Sequence, residues 1–137
     1  MMLRPSLLLF VVAALGVTAR TAGACGHCVE DHVAAVYDYG MQQQAGRAGL
    51  EIAYLGIEGS RAESPRAAAL VGDALRGSRL IAAGTVRTSF APPAAAFAWS
   101  GGDPALRAIL ESIRATLADN GLHLELLRVW NAERGLH

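Results

Sequence analysis

A chain of 137 residues with 12 basic and 12 acidic side chains carries no net charge, so nothing in its balance points to nucleic acid or an anionic membrane. The length allows one domain and a leader. With 53% hydrophobic residues but only 6% aromatic, the composition supports a buried core and argues against an aromatic-lined substrate pocket.

The chain opens with Arg4, an apolar run from Leu7 to Val17, and the small-residue triplet Ala22-Gly23-Ala24. Those are the positive, hydrophobic and cleavage parts of a secretory signal. Arg20 interrupts the run short of the roughly 20 apolar residues that a membrane span needs. The expectation is a signal peptide over residues 1–24, export to the periplasm or beyond, and no membrane span once it is removed. Lipidation also acts on a cysteine at such a junction. Lipidated precursors usually carry Leu three residues earlier, where this chain has Ala22. The processed chain keeps ten arginines against twelve acids, a net charge of −2.

Cys25-Gly26-His27-Cys28 follows, and it holds both cysteines of the chain. A bridge across so short a loop removes little chain entropy, so a structural staple explains the pair poorly. Val29, Val33, Val36 and Tyr37 recur at helical spacing, with Glu30 and Asp31 in the first turn, and Met41 continues the pattern. A helix start beside Cys28 favours thiolate. Thiolate both binds soft metals and attacks disulfides, so the spacing leaves metal binding and thiol–disulfide exchange open. For metal, Cys25, Cys28 and His32 form a C-x2-C-x3-H set, with His27 a further candidate. Two thiolates and an imidazole suit Cu(I) or Zn(II), and Hg(II) would also favour the sulfurs. The partners to expect are then the metal ion and another periplasmic metal or thiol protein. Haem attachment is excluded because Val29 follows Cys28. The tetrapeptide resembles that of protein disulfide isomerases. In their thioredoxin fold a strand precedes the motif, and the processed chain has no residues there for one. A solvated helix histidine is the bland reading of His32, and an inert disulfide that of the two cysteines.

Downstream, Leu50, Ile52 and Tyr54 alternate along a strand over 50–55. After a polar loop to Ser64, Ser64-Pro65 is a helix start, and Leu70, Val71, Ala74 and Leu75 form its inner face up to Gly77. Strands follow over 85–90 and 95–99, separated by a turn at Pro92-Pro93. Asp103-Pro104 repeats the cap-and-proline start. Leu106, Ile109, Leu110, Ile113 and Leu117 then trace an apolar stripe ending at Asn120-Gly121. A strand over 122–130 places Leu122, Leu124 and Leu126 opposite His123 and Glu125. Trp99 and Trp130 belong to core or sheet edge, His123 lies on the polar face, and residues 131–137 fray.

The order β-α-β-β-α-β makes the fold α+β: a ferredoxin-like βαββαβ sandwich over residues 50–130, preceded by an extra N-terminal helix within the Cys/His segment 25–49. Val86 and Phe90, the short strand 95–99, the Asp-Pro helix start with Ile109 and Ile113, and Asn120-Gly121 together resemble the heavy-metal-associated domain of copper chaperones and mercury-binding periplasmic proteins. That resemblance implies metal binding or metal trafficking without catalysis, and no catalytic residue set is legible. The family holds its Cys-x-x-Cys in the loop between first strand and first helix. Here that loop, Gly56 to Ser64, has neither Cys nor His, and the cysteine pair lies upstream.

Overall fold

Two periodicities alternate along the chain, and the computed structural model turns them into four helices and five strands. It describes the backbone of residues 26–137 and the side chains from residue 29 on; the signal peptide expected over 1–24 and Cys25 lie outside the described residues. The elements are α1 (Gly26–Val36), α2 (Tyr39–Ala48), β1 (Glu51–Glu58), α3 (Pro65–Arg76), β2 (Arg87–Phe90), β3 (Pro93–Trp99), α4 (Gly102–Ala118), β4 (His123–Asn131) and β5 (Gly135–Leu136). All strands pair antiparallel in one mixed α/β arrangement, in the order β2-β3-β1-β4-β5. No helix among the described residues is long and apolar enough to cross a membrane.

The single N-terminal helix expected from the valine spacing is two helices. Asp38 leaves helical geometry (φ −137°, ψ 109°) and caps α2, its Oδ1 accepting from the Met41 N–H at 2.9 Å. Gly49 closes α2 in the left-handed region at φ 67°. α3 starts as its sequence implies: Ser64 Oγ accepts from the Ala67 N–H at 3.1 Å, and Pro65 occupies the first turn. α4 does not. Its cap is Gly101, at φ 102°, without a side-chain hydrogen bond, and Asp103 sits inside the first turn. There its charge faces the positive end of the helix dipole instead of capping it.

β1 and β3 are the central strands, and both bury both faces. Ala53, Leu55 and Ile57 of β1, with Ala95, Phe97 and Trp99 of β3, pack under Val71 and Leu75 of α3 and Leu106, Ile109, Ile113 and Leu117 of α4. The alternate residues Ile52, Tyr54, Ala94, Ala96 and Ala98 face the other way, against Val36, Met41 and Ala45 of α1 and α2. Because strand side chains alternate, one strand serves two cores. The alanines of β3 keep the second core thin enough for helices to lie close to the sheet.

The alternation of Leu122, Leu124 and Leu126 with His123 and Glu125 holds, and it stops there, while the expectation for the tail is corrected. Tyr54 pairs with Arg128 and Leu55 with Leu126, leaving Leu127 as an extra residue in a bulge. Parity flips there, so Leu124 and Val129 both reach the α3–α4 core while Trp130 joins the opposite one. The tail does not fray. It turns at Arg134, whose N–H donates to Asn131 Oδ1 at 2.8 Å, and returns as β5. His137 and Val129 then exchange backbone hydrogen bonds of 2.8 Å in both directions.

Candidate metal and thiol site

The sequence motif falls at the start of α1. The backbone from Gly26 to Val36 is one helix, with His27, Cys28 and His32 within it and Cys28 four positions before His32. Cys25 lies outside the described residues, as do the side chains of His27 and Cys28. His32 is half-buried. The orientation of α1 follows from Val33 and Val36, which pack on the sheet beside Ile52 and Tyr54. Among the described residues, no three His, Cys, Asp or Glu side chains come together as a metal-holding group. His123 is exposed on β4, and the His137 ring lies 3.1 Å from the Gly135 carbonyl oxygen.

The loop between β1 and α3, where the heavy-metal-associated family would hold its cysteines, has a different chemistry. Gly59 takes φ 139° with the Gly121 carbonyl oxygen packed against it, so a Cβ there would meet that oxygen at 2.2 Å. Beside it lies a cavity of about 170 Å³ lined by Arg61, Ser64, Arg66, Ala67, Leu70, Asn120 and Leu122. Two guanidiniums and a helix N-terminus repel a metal cation. The cavity lining is basic and includes no Cys or His.

A polar joint was missed in the sequence. Asp38 links α2 to the sheet: its Oδ2 accepts from Arg87 Nε at 3.0 Å, while Arg87 Nη1 donates to the Gly84 and Val86 carbonyls at 2.8 and 3.1 Å. The hydrogen bond from Met41, then the Arg87 guanidinium, hold the Asp38 carboxyl below the usual carboxylate range. Under the same helices, burial pushes the Tyr54 phenol up to about 12, with smaller contributions from Tyr37 and Asp38. Among the described residues the Tyr54 hydroxyl, fully buried, has no hydrogen-bond partner. Arg87, 49 positions away, carried no signal that it would meet Asp38.

No family model, curated protein or solved structure matches the chain.

Proposed function

We propose that the protein is an exported, periplasmic metal-binding or metal-trafficking protein, holding Cu(I) or Zn(II) with Cys25, Cys28 and His32 on a ferredoxin-like core. The observation that carries the site is that α1 is continuous from Gly26 to Val36. Residues 28 and 32 are therefore one turn apart on a single helix, a spacing at which a thiolate and an imidazole reach one ion. His27 is a fourth candidate ligand. The antiparallel strand order β2-β3-β1-β4, with α3 and α4 on one sheet face, is what supports the ferredoxin-like split βαβ reading.

Thiol–disulfide exchange is the competing use of the same cysteines, favoured by the position of Cys28 in the first turn of α1, where thiolate is stabilised. One experiment separates the two. Reduced protein is titrated with Cu(I) and with Zn(II) against competing chelators, and the dithiol potential is measured on the same samples. A metal site loses most of its affinity in Cys25→Ser or Cys28→Ser and a smaller part in His32→Ala, because thiolates dominate soft-metal binding. An exchange protein instead shows a potential of roughly −120 to −270 mV and weak metal binding that ignores His32. Failure of the reduced wild type to hold either metal rejects the proposal.

A further inference from the structure

β4 is next to last in the sheet, and its outer edge is covered only in part. β5 pairs with Trp130 and Asn131, and His137 pairs with Val129. From His123 to Arg128 no described residue pairs with that side, although β1 pairs with the other along the same stretch. Alternate backbone N–H and C=O groups of this segment therefore point outward without a strand to meet them.

The segment is also complementary to itself. Leu122-His123-Leu124-Glu125-Leu126 has a leucine at its centre and leucines at both ends, with a basic and an acidic residue between. Run antiparallel against a second copy about a two-fold axis at Leu124, it sets Leu122 opposite Leu126 and Leu124 opposite its own twin. His123 then stands opposite Glu125 of the second copy, and this pair occurs twice. Face assignments agree with that register. Leu122 and Leu124 belong to the α3–α4 core, and Leu126 pairs with Leu55 of that core, so the leucines share one face. His123 and Glu125 pair with Glu58 and Gly56 on the other face, and both are exposed. Leu126 is 44% exposed at the rim, an apolar side chain that a neighbouring strand would cover. The register ends at residue 126, ahead of both the Leu127 bulge and the tail at Val129.

We infer that this edge is a homodimer interface, in which β4 of two copies pair antiparallel about Leu124 and join two five-stranded sheets into one. The occupant is a second copy because the complementarity is reciprocal: an isologous contact requires a patch that matches itself. The opposite edge, β2, lacks this property. It is four residues long, and its Arg87 side chain is already committed to Asp38.

The test is sedimentation of the purified product of full-chain expression over a range of concentrations, alongside hydrogen exchange. The wild type should show a reversible monomer–dimer equilibrium, with amides of alternate residues in 122–126 slowing as concentration rises. His123→Glu places like charges opposite each other twice and should weaken the dimer about tenfold. Adding Glu125→Arg to His123→Glu should restore it, since the swapped pair again attracts in this register and no other. Leu126→Lys, at an exposed position, should also weaken association while leaving the melting curve unchanged at concentrations low enough that both proteins are monomeric. A chain that stays monomeric overturns the inference. So does a dimer that His123→Glu leaves intact, a double variant that fails to recover, or edge amides that slow only when a different polypeptide is added.

Discussion

Asp38 joins two elements at one carboxylate. It caps α2 through Met41 and receives Arg87 from β2. Its depressed pKa means that it stays ionised in mildly acidic solution, so the joint keeps its charge there. Tyr54, beneath it, behaves in the opposite sense. Its ring fills the core between the sheet and α1–α2, while its hydroxyl is buried without a partner among the described residues. A phenol raised from 10.0 to about 12 in the folded state keeps its proton where the unfolded chain has lost it. The stability this represents is complete below pH 10 and is lost as pH rises toward about 12, amounting to up to about 2 kcal/mol once water relaxation around the phenolate is allowed for. Tyr54→Phe should flatten that alkaline loss, and near neutral pH it should stabilise by about 1 kcal/mol by removing an unsatisfied hydroxyl. Denaturant midpoints of both proteins at pH 7, 10 and 11 check this. A Phe variant that is clearly less stable at pH 7 would mean that the hydroxyl has a partner.

At the scale of elements, the close approach of two turns is the most demanding local feature. Gly59, after β1, and Gly121, before β4, bring their loops together so that a Cβ on Gly59 would overlap the Gly121 carbonyl. Gly84 provides the control, since it also has positive φ (76°) but a Cβ there meets nothing within 4 Å. Gly84→Ala should therefore cost about 1–2 kcal/mol of backbone strain. Gly59→Ala should cost more, at least about 2 kcal/mol beyond that, because backbone must move. Equal losses in chemical denaturation would show that the loops part easily. The same elements show what a sequence carries. α3 and α4 were legible from their stripes, because Val71, Leu75, Ile109 and Ile113 repeat at a period that only a helix puts on one face. The α1–α2 break, the Leu127 bulge and the β5 return depend on distant partners: Arg87 for Asp38, Tyr54 and Leu55 for β4, Val129 for His137. Local pattern does not encode such contacts. The helix carrying the Cys/His motif was legible from its valines. The basic cavity at Arg61 and Arg66 was not, since it forms only when the β1–α3 loop meets Asn120.

Across the whole molecule, the sheet is the shared wall of two cores, and this sets how the halves respond to damage. Residues 25–49 include α1 and α2, whose Val36, Met41 and Ala45 are buried against β1 and β3. Those strands hold Phe97 and Trp99 on their other side. Losing the α1–α2 layer would bare Ile52, Tyr54 and the alanines of β3, and strands freed on one face lose the geometry that packs the other. The two tryptophans divide between the cores, Trp99 with α3–α4 and Trp130 with α1–α2. Trp130→Phe therefore leaves a fluorescence reporter for the far core alone. In that background Met41→Ala, at a buried position, should cost about 2–4 kcal/mol by removing side-chain volume from the α1–α2 layer. The Trp99 transition should shift by the same amount as the far-ultraviolet circular dichroism, because one cooperative unit has one midpoint. If the dichroism gains an early phase while the Trp99 signal holds its position, the α1–α2 layer unfolds by itself. The strands would then transmit nothing between the cores, and the helix bearing Cys28 and His32 would be an independently opening lid on the sheet.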